Sequence, residues 1–120
     1  MLSPILAAIT EAEQGTTGQI RVHLSQRWIE PNPYRRANTL FSCFGLSKNL
    51  HHNTILIYLN LKCRKFAILG DYKINHAVGS HFWKSIGEKL QENLRSTQSE
   101  RAIALVIQDL GTTLRKHFPK

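Results

Sequence analysis

The run Thr54-Ile55-Leu56-Ile57-Tyr58-Leu59 constrains this chain more than any other stretch. An unbroken apolar segment of that length, rich in β-branched residues, belongs to a strand covered on both faces. A second apolar run, Phe66-Ala67-Ile68-Leu69 within Lys65 to Gly70, follows after a connection around Leu61 to Cys63. So short a link pairs the two strands antiparallel, because a parallel return needs a crossover of about a dozen residues. Both strands must be shielded from water on either side. The class expected is therefore α/β: a small mixed sheet flanked by helices on both faces, an α/β/α sandwich.

The remaining elements fit around that hairpin. Ser3-Pro4 reads as an N-cap and first helical position, with Ile5, Leu6, Ile9 and Ala12 at helical spacing and an end near Gln14. After Gly15 to Gly18, Ile20, Val22 and Leu24 alternate with Arg21, His23 and Ser25, the period of a half-buried strand. Trp28 to Asn32 is loop; Pro33 opens a second helix whose face is Ala37, Leu40, Phe41 and Phe44, and Gly45 closes it. Beyond Gly70-Asp71, Ile74, Ala77 and Val78 suggest a short helix, and Phe82, Trp83, Ile86, Leu90 and Leu94 a longer one. Thr97 and Glu100 make a capping-box pattern before a last helix with Ile103, Val106, Ile107, Leu110 and Leu114, although Ala102 to Ile107 also reads as a strand.

The chain has 120 residues, 42% of them hydrophobic, which is enough for one domain over residues 1–120 without a disulfide or metal staple. There is no internal repeat and no linker. Cys43 and Cys63 make no disulfide framework and are expected as small buried thiols in a reducing cytoplasm. Met1 to Gln14 lacks a basic leading segment and meets Glu11 and Glu13 too early for a signal-peptide core. No apolar run approaches the ~20 residues that span a bilayer.

Sixteen Lys and Arg against eight Asp and Glu give a formal charge of +8, a surface that favours anionic partners. Phosphate-loop, dinucleotide, zinc-helix and Cys-x-x-Cys motifs are absent, so common cofactors have no support. Among the six histidines, His76 and His81 are five apart and do not share a helical face, and adjacent His51 and His52 point apart. Asp71 ends a strand and precedes a helix, where α/β proteins place ligand-binding groups, although it also suits a helix cap. Arg35, Arg36, Lys48, Lys62, Arg64 and Lys65 form the candidate basic surface. Nucleic acid is a third reading, with Trp28, Tyr34 and Tyr72 the aromatics left for stacking.

Ala12-Glu13 with Thr16 or Thr17 and Gly18-Gln19-Ile20-Arg21-Val22, Ala37 to Leu46, Ile55 to Tyr58, Phe66-Ala67-Ile68 with Gly70-Asp71, Ile74, Val78-Gly79, Phe82-Trp83, and Leu114 with His117-Phe118-Pro119 follow one another along the chain. In that order and spacing they resemble the TPM domain family, found in thylakoid-lumen and bacterial envelope proteins. The resemblance implies an α/β sandwich and, by family member, a phosphatase, a calcium site or an accessory role in membrane complexes. It carries Asp71 over as the one acidic site residue; His52, Asn53 and Arg21 complete the candidate ligand or cation site. Gln19 stands where the family usually has Glu, and His52-Asn53 where Arg-Asn is common. With acids so scarce, the expectation is a non-enzymatic module docking an acidic protein or membrane-associated complex. The rival is a phosphatase or divalent-cation site in which Asp71 holds a cation or acts as acid and base while Arg21 or His52 steadies phosphate.

Overall fold

The computed structural model describes residues 3–96 and 98–120. It contains a mixed three-stranded sheet and four helices, the α/β class expected from the sequence. The chain divides into two units, Gln19–His76 and the segments before Gln19 and after His76.

Gln19–His76 holds the sheet, in order β1-β2-β3, with β1 Gln19–Ser25, β2 Thr54–Asn60 and β3 Lys65–Gly70. β1 runs parallel to β2 with Ile20 beside Ile55, and β2 runs antiparallel to β3 with Ile57 beside Ile68. Every residue of β2 is buried, as its apolar run requires. Helix α2, Pro33–Cys43, lies over β3 and β2 and packs Ala37 and Leu40 on Leu56, Tyr58 and Ala67. Its start is fixed by chemistry at two adjacent positions: Asn32 accepts a hydrogen bond from the Arg35 N–H at 3.1 Å, and Pro33 supplies the φ of the first turn. On the opposite face of the sheet, Ile20, Ile55, Ile57 and Ile68 are equally withdrawn from water.

In the other unit, α1 Ser3–Ala12 packs on α4 Ser99–His117, burying Ile5, Ala8 and Ala12 together with Ala102, Ile103, Val106, Leu110 and Leu114. The helical reading of Ala102 to Ile107 is the one adopted. Leu6, expected in the α1 stripe, is exposed; the narrow buried face takes Ala8 instead. Phe44, expected on the inner face of α2, lies past the helix end and is exposed. α3, Tyr72–Ser96, is broken at Gly79, whose φ of 78° separates the short helix from the long one. Thr97, and with it the expected capping box, lies outside the described residues, as does the side chain of the expected Ser3 cap. The thiols expected as buried are not: Cys43 is exposed on the last turn of α2, and Cys63 is half-buried in the β2–β3 turn.

Candidate functional site

Asp71 follows β3 and starts α3. Its N–H donates to the Thr54 carbonyl at 2.9 Å, which ties the strand end to β2. Its Oδ1 accepts from the Tyr72 N–H at 2.8 Å and from the Ser47 hydroxyl at 3.2 Å, while Oδ2 faces His52 Nδ1 at 3.3 Å. Asp71 is thus a helix cap and a cross-link between two loops, and both of its oxygens are engaged. His52 reaches it from a left-handed backbone, φ 49°, and its ring lies 4.6 Å from that of Tyr72. The turn behind it is built by Asn49, which donates to Asn53 Oδ1 at 2.7 Å and Thr54 Oγ1 at 3.1 Å and accepts from the His51 N–H at 3.0 Å. Ser47 donates to Asp71 and not to the imidazole, so it is not arranged as a nucleophile beside its base. Among the described residues no group of three or more His, Cys, Asp or Glu is placed to hold a metal ion.

Arg21 is placed elsewhere. Because α2 covers β2 and β3, the edge strand leaves Gln19, Arg21 and His23 facing a groove of about 340 Å³, closed by Phe44, Leu46 and Asn49. Only Asn49 belongs to both this groove and the Asp71 corner. His23 stacks on Tyr58 at 5.7 Å and meets Phe44 at 5.9 Å. Burial, and secondarily the Arg36 guanidinium, hold its imidazole below the ordinary value of 6.5. The unfolded chain therefore takes up this proton more readily, and the His23 contribution to stability is lost as pH falls below about 6.5. An NMR titration should show His23 titrating below 6.5, and Arg36→Gln should raise it only part of the way because burial is the larger cause. A midpoint at or above 6.5 in the parent protein would contradict this placement.

The basic residues gather at the other end of α2. Arg27, Arg35 and Arg36 line a pocket of about 260 Å³ with Asn32 and Thr39, floored by Glu30. Glu30 is buried at 3% exposure; its carboxylate accepts from the Tyr58 hydroxyl, from Asn60 Nδ2 at 3.2 Å and from Arg27 at 3.4 Å. Burial pushes this carboxyl up, but the Tyr58 and Asn60 hydrogen bonds and the Arg27 and Arg36 charges outweigh it and hold Glu30 below its usual range. Lys65 Nζ donates to the Glu30 carbonyl at 2.6 Å, and Lys62 lies 3.7 Å over the Trp28 ring, so the turn holding Lys62, Arg64 and Lys65 adjoins the pocket. Of the six basic residues singled out in the sequence, Arg35, Arg36, Lys62 and Lys65 are brought to this end; Arg64 lies between the last two in the chain, in the β2–β3 turn, and Lys48 sits in the short 3-10 turn Leu46–Lys48 beyond the far end of α2.

Sequence reasoning missed Glu30, Arg27, Ser47 and the partners Tyr58 and Asn60. The available signal was the pair of polar groups at Tyr58 and Asn60 in a strand buried throughout, since a buried phenol and amide each need a partner.

This frame, with a parallel edge strand, a hairpin and a helix-capping aspartate at the sheet's end, is that of a small mixed-sheet α/β domain. The family model of the TPM domain matches residues 3–113, and the chain belongs to the TPM domain family. It is similar to the BA42 protein of the psychrophilic bacterium Bizionia argentinensis, at 30% identity over 99% of this chain and 83% of that one, with a TM-score of 0.88. The N-terminal domain of cg2496 from Corynebacterium glutamicum shares the fold at a TM-score of 0.72, with 13% identity over 94% of this chain and 70% of that one. No curated protein matches the chain. Among the described residues no helix is long and apolar enough to cross a membrane.

Proposed function

We propose that residues 1–120 act as one TPM-like domain, a non-enzymatic module that docks an acidic partner through the basic end of its sheet. The observation that carries this reading is the union of Arg27, Arg35 and Arg36 in one pocket with Lys62, Arg64 and Lys65 on the adjoining turn, around an acid, Glu30, that is buried and already engaged. Anions approaching this end meet several guanidinium and ammonium groups. The Asp71 corner supports the same reading over a phosphatase centred there, because its carboxylate is occupied in capping and cross-linking. The unpaired thiols of Cys43 and Cys63 fit a reducing, cytoplasmic setting.

The test separates a located site from net charge. Arg35→Glu/Lys62→Glu and Lys84→Glu/Lys116→Glu each remove four units from the +8 of the chain, all at exposed positions. On immobilised polyglutamate at low salt, the first double variant should lose at least tenfold in affinity and the second much less. Equal losses would leave only a diffuse basic surface.

A further inference from the structure

Loop residues Trp28 and Ile29 are 81% and 76% exposed, yet the loop that carries them is firmly held. The Arg27 carbonyl accepts from Asn60 Nδ2 at 3.0 Å and, with the Trp28 carbonyl, from the Cys63 thiol at 3.2 and 3.1 Å. The Glu30 carbonyl is taken by Lys65, and the Glu30 side chain by Tyr58 and Asn60. The inward polar groups of the loop are thus satisfied by β2 and the β2–β3 turn, while two large apolar side chains are left at its tip. Leu61, in the same turn, is 43% exposed. Solvent-facing loop tips ordinarily carry polar residues; adjacent exposed apolar ones mark a surface that meets something less polar than water.

Charge around the tip says what that something is. Arg27 precedes it, Lys62 lies over the Trp28 ring and Lys65 holds the Glu30 carbonyl, and the Arg27–Arg35–Arg36 pocket opens beside it at the N-terminus of α2, where the helix dipole adds to the positive potential. An indole and an aliphatic chain ringed by Lys and Arg is the pattern of side chains that enter the headgroup region while cations neutralise lipid phosphates.

We infer that this end of the Gln19–His76 unit is a docking surface for an anionic phospholipid membrane, with Trp28 and Ile29 entering the interface and the Arg27–Arg35–Arg36 pocket taking a headgroup phosphate. The inference rests on the basic-surface reading above and names its partner. Because the loop is pre-ordered by Glu30, Asn60 and Lys65, little ordering cost opposes binding.

Vesicle co-sedimentation tests it, with phosphatidylcholine alone against phosphatidylcholine mixed with phosphatidylglycerol, at low and raised salt. Binding to the mixed vesicles only, weakened by salt, is expected. Trp28→Ser/Ile29→Ser should reduce it at least tenfold, and Arg35→Gln or Lys62→Gln about fivefold each. In a Trp83→Phe protein the remaining indole, Trp28, should shift its emission to the blue on the mixed vesicles. Both loop positions are exposed, so an unchanged amide spectrum verifies the fold of the double variant. Binding that the double variant retains, without a blue shift, overturns the inference in favour of plain electrostatic adsorption. No vesicle binding alongside retention on polyglutamate overturns the membrane and leaves an acidic protein; failure on both overturns both readings. Trp28 quenching by a single-stranded oligonucleotide with no vesicle binding transfers the surface to nucleic acid.

Discussion

Gly111→Ala is expected to destabilise the protein by about 2 kcal/mol, although alanine ordinarily improves a helix interior by roughly 0.5–1 kcal/mol over glycine. Gly111 is buried in α4 where that helix meets the end of α1. A Cβ there would lie 2.7 Å from the Ala12 Cβ and 2.8 Å from its Cα. The obstacle is main chain, so rotamer adjustment gives no relief. Ala12 is itself held, because Arg115 donates to the carbonyls of Glu11 at 3.4 Å and Ala12 at 3.3 Å and closes the end of α1. The loop that follows is fastened to the end of the same helix through Thr16, whose hydroxyl donates to the Phe118 carbonyl at 2.5 Å, with the Leu114 carbonyl also in reach at 3.1 Å, and accepts from the Gly18 N–H at 3.0 Å. Thermal unfolding should show a fall in Tm of roughly 8 °C. In an Ala12→Gly background one of the two close contacts is gone, and the same substitution should cost about 1 kcal/mol less. A rise in Tm on Gly111→Ala would mean that the two helices separate freely and that their contact is not specified by this glycine.

That close approach was invisible in the sequence, whereas the sheet was plain. Ile55 to Leu59 and Phe66 to Leu69 declare themselves because an apolar run uses no information beyond local composition, and the link around Leu61 to Cys63 dictates their pairing. The alternation in β1 is followed only in part: Ile20 is buried and Arg21 and His23 line the groove, but Val22 lines it too and Leu24 is exposed, as an edge strand allows. Asp71 was found by its position after a strand. What its carboxylate touches was not, because Ser47 and His52 come to it from 24 and 19 residues away. The basic residues were legible as residues and not as a surface. Arg35 and Arg36 occupy the first turn of α2 and Lys48 follows its far end, a division set by the length of the helix. Glu30 was hardest, since an acid in a loop is ordinarily exposed and only Tyr58 and Asn60, from β2, explain why this one is inside.

Glu30→Ala should therefore be the costlier substitution, about 3 kcal/mol, because it leaves the Tyr58 hydroxyl and the Asn60 amide buried without their acceptor. Glu30→Gln should cost less, keeping the volume and one carbonyl oxygen while losing the charge that Arg27 faces. The two variants also divide the pH response. In the folded protein the carboxyl titrates below its ordinary 4.5, so the unfolded chain binds the proton more readily; the stabilisation is complete above about 4.5 and disappears as pH falls through the folded value. Denaturant midpoints followed from neutral pH into acid should fall in the parent protein and show a shallower fall in Glu30→Gln. Parallel curves would show that Glu30 is not the group whose ionisation holds this end of the sheet together. The same carboxylate underlies the binding surface, since it fixes the loop that presents Trp28 and Ile29 and spaces Arg27 beside the pocket. Loss of vesicle binding in Glu30→Gln under conditions where the protein is still folded would make it a positioning residue for that surface, because the charge of the bare surface becomes more positive, which by itself would strengthen attraction to an anionic membrane.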